Sequence, residues 1–450
     1  MNRQAANASA ERFSASTAYA VVVANMIGTG VFTSLGFQLM DIQSGFVLLV
    51  LWALGGLLAL CGALCYAELS GALPRSGGEY HFLSVAYHPV AGFVSGWVSA
   101  TVGFAAPTAL AAITFGNYLS SSIPGLDPTL LALLLVILLT VAHASSRRGS
   151  GAVQRLFTAA KLLLILGFCG LAISSSAPPQ PVRFLPVSGD GALLVGGAFA
   201  VSLIYVNYAY TGWNAATYLT SELATPERTL RRVLVAGTLT VTMLYLLLNF
   251  TFLHVVPIER MVGRLEVGVI AAETAFGPTG GALIGVVLAL LLISTVSAMV
   301  LAGPRVLQVL GEDYRAFSVL ARTNRHGIPA RAVVLQSGIA LALIGTASFE
   351  SILVFTGFIL GLNTLLATLG VIALRWRRPD LPRPCRVPLY PLPVVLFAGV
   401  TAWTLFQVLR ERPQEGWLGL AIVAVGVLVY IVLDRTGLGL RQRAQACEDS

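Results

Sequence analysis

Charge is what this sequence has least of. Only 11% of its 450 residues are charged, against about a quarter in soluble globular domains, and that excludes an ordinary water-soluble fold. Lysine is nearly missing: of 28 basic residues all but Lys161 are arginine. Leu162 follows that lysine, so there is no Gly-Lys-Ser/Thr phosphate loop and the chain is not an ATPase of that type. The five histidines, His81, His88, His143, His254 and His326, stand apart, without a His-Glu-x-x-His pair or cysteines at zinc spacing. No metal or cofactor is expected. No nucleophile triad can be named either, so an enzyme is not expected. Cysteine is scarce and badly placed for disulfides: Cys61, Cys65 and Cys169 fall in apolar runs, Cys385 in a basic loop and Cys447 near the C-terminus.

What is abundant is apolar. Hydrophobic residues make up 56% of the chain and its mean hydropathy is +0.81, which points to an all-α polytopic membrane protein. Runs of spanning length recur at about 16–40, 45–70, 90–119, 129–145, 152–174, 192–220, 230–256, 279–310, 331–348, 351–374, 391–410 and 416–433. Twelve transmembrane (TM) helices are therefore expected. With a cytoplasmic N-terminus, the inner segments carry 22 arginines and the outer ones five, Arg183, Arg260, Arg264, Arg410 and Arg412. By the positive-inside rule both termini are cytoplasmic. The net charge of +8 then reflects topology and contact with membrane lipid, and no nucleic acid partner is expected. Arg3 and Arg12 precede no short apolar core with a cleavage site, so the first run is expected to stay attached.

Two of these runs are interrupted at mid-depth. In the first, Gly28 and Gly30 sit within Asn25-Met26-Ile27-Gly28-Thr29-Gly30-Val31-Phe32; either the helix breaks there or two small residues let another helix pack closely. The sixth run contains Tyr205-Val206-Asn207-Tyr208-Ala209-Tyr210-Thr211-Gly212-Trp213-Asn214, a mixture of amides, hydroxyls and glycine. Five spans separate the two interruptions, and an odd interval inverts the second copy of a repeat. The coincidence favours a 5+5 inverted repeat with TM1 and TM6 broken and a site between them. Its candidate substrate-binding residues are Met26, Ile27, Gly28, Thr29, Gly30, Tyr208, Ala209, Thr211 and Gly212. Amides near Thr29 and Gly30 suit a carboxylate, and carbonyls near Met26, Tyr208 and Thr211 suit an ammonium. No acidic residue is central in the first six spans, which disfavours polyamine and metal-ion cargo and favours a zwitterion.

Lys161 lies inside the fifth run and has two readings. Six residues from Arg155, it snorkels to the inner surface; or it reaches carbonyls of the first break and hydroxyls of the eighth span, where Ser294, Thr295 and Ser297 lie, and acts as a coupling cation. Tyr208 and Trp213 are gate candidates with packing as the equal alternative. The inner segment Leu73-Pro74-Arg75-Ser76-Gly77-Gly78-Glu79-Tyr80-His81-Phe82 reads as a turn and a short interfacial helix, and Pro257 to Pro278 as a lid-like pair of short helices.

At these residues the chain resembles the amino acid, polyamine and organocation transporter superfamily, and most closely its L-type amino acid transporter-like branch. The resemblance is carried in order by Gly28-Thr29-Gly30-Val31-Phe32, the Leu73 to Tyr80 segment, Val153 to Lys161, Tyr208 to Asn214 with Glu222 and Pro226, and Gly303-Pro304-Arg305. It implies the leucine-transporter (LeuT) fold, with repeats at 16–175 and 192–375, a terminal pair at 388–434, and tails at 1–15 and 435–450. It implies a sodium-independent inner-membrane exchanger or proton-linked carrier of neutral L-amino acids, with Tyr208 as gate and Lys161, Ser294 and Ser297 as coupling residues. An amino acid/proton symporter with Lys161 as proton carrier and a non-transporting amino acid sensor are the alternatives. Thr211 and Tyr208 stand where L-type members often have Gly and Phe, which shifts the expectation to small or mid-sized substrates. Leu119 to Thr129 lacks the cysteine by which animal members hold a glycoprotein subunit, so no disulfide-linked heavy subunit is expected. The last two spans read as packing or homodimer elements.

Overall fold

The computed structural model describes residues 15–73, 78–145, 151–175, 178–214, 217, 226–325 and 327–436, without the side chains of 17, 151–157 and 226–228. The Pro74–Gly77 turn, Glu222, the side chain of Arg155, and residues 1–14 and 437–450 of the expected tails lie outside them.

Among the described residues the chain is helical and has no strand. The first apolar run is two helices, α1 (Ala15–Met26) and α2 (Gly30–Asp41), and the second is α3 (Gly45–Ala72), capped by Ser44 accepting from Val47 N. The short helix α4 (Glu79–Ala86) precedes α5 (Pro89–Val98), which passes through a π-turn at Ser99–Gly103 into α6 (Ala105–Ser122). Next come α7 (Pro128–Ser145), α8 (Gly151–Ile173) and α9 (Gly197–Tyr210). Within the run expected over 192–220, α9 ends at Tyr210 and 211–214 form a turn. The remaining helices are α10 (Pro226–Val255), α11 (Val267–Asp313), α12 (Ala330–Thr346), α13 (Phe349–Arg377), α14 (Leu392–Glu411) and α15 (Pro413–Arg435). The lid-like pair is a single turn at Ile258–Met261 and the start of α11, which bends at Gly277 (φ 77°) before Pro278.

Nine helices among the described residues are long and apolar enough to cross a membrane; the apolar cores Thr158–Ile173 and Ala330–Thr346 are shorter, as is α9. Helix α10 packs along α3 and α1, α6 runs along α11, and α9 lies among α2, α3, α13 and α14. Both broken runs therefore sit inside the bundle. Their neighbours are continuous helices, which is the condition under which irregular backbone is tolerated at that depth.

One buried ion pair ties one end of the bundle together. The Glu68 carboxylate, 2% exposed, accepts from Arg375 Nε and Nη2 at 2.7 and 2.6 Å and from the Val387 amide at 2.7 Å, with Arg383 Nε 3.7 Å away. This joins α3 to α13 and to the loop before α14. By contrast Arg264 and Glu266 approach only to 3.9 Å at the surface. Glu68→Ala is expected to destabilise the protein by about 3–5 kcal/mol, because it strands charges inside the fold, and Glu266→Ala by less than about 1 kcal/mol. Thermal unfolding of the two variants in detergent checks the contrast.

Candidate functional site at the paired helix breaks

Helix α1 stops because its hydrogen-bond ladder runs out at Ile27, whose amide still donates to Val23 O at 3.0 Å. Gly28 N turns back to Met26 O at 2.8 Å, and α2 starts with Phe32 N on Thr29 O at 3.0 Å. The amides of Thr29, Gly30 and Val31 have no backbone acceptor among the described residues, and the Thr29 side chain does not cap them. A buried helix N-terminus with three free N–H groups is an anion site. The first interruption is therefore a break, with Gly-x-Gly also serving close packing.

The second break is a tight turn. Thr211 N and Oγ1 both donate to Tyr208 O, at 3.0 and 2.7 Å, and Gly212 follows with φ +98°. A Cβ at Gly212 would come within 2.7 Å of the Asn25 backbone, and one at Gly30 within 2.5 Å of Ala209 Cα. Two glycines thus let the breaks lie against each other. The contact brings the two backbones together at that point, and a small crevice beside the first break is lined by Gly28, Phe32, Tyr118, Lys161 and Leu288.

Tyr245 on α10, which sequence reasoning missed, joins the breaks. Its hydroxyl donates to Met26 O at 2.6 Å and lies 3.0 Å from Ala209 O, so one proton serves a carbonyl from each. Trp52 packs edge-on against the ring and Tyr210 tilts over it, at 5.5 and 5.0 Å, while Tyr210 OH donates to Trp52 O. No motif marks Tyr245 in the sequence. The one signal is a phenol in the middle of an apolar run, which must find a partner when buried.

These bonds change which carbonyls are open. Met26 O takes both Gly28 N and Tyr245, and Tyr208 O takes Thr211 twice. Of the three carbonyls expected to meet an ammonium, Thr211 O alone has no donor among the described residues. The polarity of the pair follows: donors at Thr29 to Val31, an acceptor at Thr211.

Lys161 points into the bundle. Its side chain is 7% exposed, and Nζ donates to Ile27 O at 3.1 Å and to Thr295 Oγ1 at 3.0 Å. No carboxylate pairs with it among the described residues. This geometry is that of the buried cation, not of the snorkelling one. Ser294 and Ser297 do not reach it: Ser294 Oγ donates back to Leu291 O, and Ser297 Oγ meets His143 Nε2 at 2.8 Å. Helical spacing explains the selection, since Thr295 presents a different side of α11 from its neighbours.

Tyr208 is buried beside the second break, and Trp213 packs edge-on against Tyr66 at 4.7 Å. Beyond Trp213, Asn214 Nδ2 donates to Glu79 Oε1 at 2.8 Å, which also accepts from Tyr66 OH. Ile27 and Ala209 contribute carbonyls that are taken by Lys161 and Tyr245. Tyr118, also unforeseen, donates to Phe32 O at 2.9 Å and accepts from Gly268 N, which fixes α2 against the start of α11.

A family model described as amino acid permease matches residues 13–430. Large neutral amino acids transporter small subunit 2 of Mus musculus is 29% identical over 429 residues, covering 92% of this chain and 80% of that protein. The human protein of that name is 28% identical over the same length. The b(0,+)-type amino acid transporter 1 of Homo sapiens is 27% identical over 432 residues, 94% of this chain and 88% of that protein.

Because a Cβ at Gly30 meets backbone while one at Gly28 meets only Met26 O at 4.0 Å, Gly30→Ala is expected to cost about 1–3 kcal/mol or more. Gly28→Ala should be milder. Tyr245→Phe, which removes a donor shared by the Met26 and Ala209 carbonyls, should also cost about 1–3 kcal/mol. Melting temperatures in detergent rank the three.

Proposed function

Since the chain belongs to the amino acid permease family, we propose that it is a sodium-independent carrier of neutral L-amino acids, working by alternating access as an exchanger or proton-linked carrier. It is an integral multi-pass membrane protein, and its relatives are amino acid transporters. The observation that carries the reading is the buried N-terminus of α2, where the Thr29, Gly30 and Val31 amides are free of backbone partners. They bind the substrate carboxylate. The ammonium goes to Thr211 O, Tyr208 acts as gate, and the side chain is small or mid-sized because Thr211 and Tyr208 narrow that end.

On this reading the chain crosses the inner membrane with twelve helices and the LeuT fold, repeats at 16–175 and 192–375, a pair at 388–434, and both termini cytoplasmic. Breaks at Ile27–Thr29 and at Thr211–Gly212 support the inverted repeat. The protein is not an enzyme, and the segment from Leu119 to Thr129, which has no cysteine, offers no disulfide to a heavy subunit. Lys161, fixed between Ile27 O and Thr295, couples the first break to α11. One feature favours the symporter as a second reading: Nζ of this lone lysine bonds two neutral acceptors, Ile27 O and Thr295 Oγ1, and among the described residues no carboxylate pairs with it.

Counterflow in liposomes tests the reading. Labelled neutral amino acid should enter only when unlabelled amino acid is trapped inside, without sodium; uptake driven by an acid gradient alone assigns symport, and binding without flux assigns a sensor. Lys161→Ala is expected to keep its size-exclusion profile and lose flux by about tenfold or more. Flux near that of the unmodified protein would remove Lys161 from the mechanism.

A further inference from the structure

The turn joining α14 to α15 grips the half-helix α9. Arg412 in that turn pairs with the Glu350 carboxylate on the first turn of α13, and the same Oε1 accepts from the Tyr205 hydroxyl of α9 at 2.8 Å. Next to it, Glu411 lies against the start of α9: a Cβ at Gly197 would be 2.6 Å from its Oε1. A carboxylate at that end also suits the helix dipole. A third tie runs from Ser351 Oγ to Glu415 Oε1 at 3.1 Å. Phe37 at the end of α2 stacks on Phe349 at 5.7 Å and stands 6.3 Å from Tyr205, so both half-helices meet at this cluster.

Tyr205 is five residues short of the end of α9, and Thr211 and Gly212 lie outside any helical ladder. The half-helix can therefore tilt about that turn without losing a hydrogen bond of its own. Such a tilt parts Tyr205 from Glu350, whereas the bonds at Ala209 O and Tyr210 OH lie next to the turn, at its pivot. Glu350 and Arg412 side chains are 21% and 33% exposed, so water can take up their polar groups when they part, and the contact is reversible.

We propose that the α14–α15 turn is a latch on the permeation path: Arg412 positions Glu350, Glu350 holds the Tyr205 hydroxyl, and its release opens the site toward the face that bears Asp41. This deepens the carrier reading and rests on it. It gives the last two helices, which stand outside the repeat, a task beyond packing. Arg412 and Glu350 are positioning residues; neither touches the breaks.

Accessibility from one face reads the latch without depending on transport. Ser202, buried on α9, is changed to cysteine in a full-length chain whose native cysteines are replaced. Right-side-out vesicles are then treated with a membrane-impermeant maleimide. Tyr205→Phe and Arg412→Gln are expected to raise the labelling rate about three- to tenfold, and Arg412→Lys, which keeps a cation beside Glu350, to raise it less. Arg260→Gln, which removes an exposed pair elsewhere, should leave it unchanged. Equal rates in all of these variants would overturn the latch. If Arg412→Gln does not fold, Tyr205→Phe, the loss of one hydroxyl, carries the test. Absence of amino acid counterflow by the unmodified protein would sink the carrier reading, while the labelling rates would still decide the latch.

Discussion

A peptide group that leaves a helix inside a bilayer must be given another partner, and the organisation of this protein follows from where those partners are placed. Unsatisfied backbone groups cost several kcal/mol in hydrocarbon. Two breaks release such groups on both sides, and the chain answers four of the carbonyls itself. Tyr245 takes Met26 O and Ala209 O, Lys161 takes Ile27 O, and Thr211 folds its own amide and hydroxyl onto Tyr208 O. What stays open among the described residues is asymmetric: amides at Thr29 to Val31 and a carbonyl at Thr211. Donors at one place and an acceptor at the other are the complement of an amino acid backbone.

The same accounting shows the breaks held largely from outside. Each of the three groups that bind them, Tyr245, Lys161 and Tyr118, comes from a helix that runs uninterrupted through that depth. Gly30 against Ala209 and Gly212 against Asn25 bring the two backbones into contact without any side chain between. Close contact needs small residues, but fixing the register needs polar ones. The division places the polar ties on α6, α8 and α10 and the small-residue contacts on α2 and α9.

Much of this was legible in the sequence, for reasons that differ by residue. The helical class follows from the long continuous apolar runs, which in lipid satisfy their backbone as helices, whereas a barrel strand is short and alternates. Gly28 and Gly30 announced the first break because glycine in mid-span is costly, and Gly212 the second because a turn with φ +98° requires it. Lys161 was conspicuous as a lone charge at depth. Its partner was not: three hydroxyls within four residues look alike in a linear reading, and only the facing of α11 selects Thr295 over Ser294 and Ser297. Tyr245 and Glu350 were illegible because their work lies in contacts 36 and 145 residues away in sequence. Trp213, read as a gate or a packing ring, turned out to rest on Tyr66, a contact that periodicity cannot reveal.

The choice of lysine at position 161 can be argued from its surroundings. Everywhere else this chain uses arginine for a basic residue, so general preference does not account for the exception. The pocket supplies two neutral acceptors, Ile27 O and Thr295 Oγ1. A guanidinium brings five N–H donors in a rigid fork and would leave most of them unmet in an apolar crevice, whereas an ammonium brings three that rotate to suit. Lysine also retains a choice that arginine does not have, because its charge can be given up when water is excluded. An ammonium therefore ties α8 to the first break and to α11 with fewer donors left unmet than a guanidinium would leave.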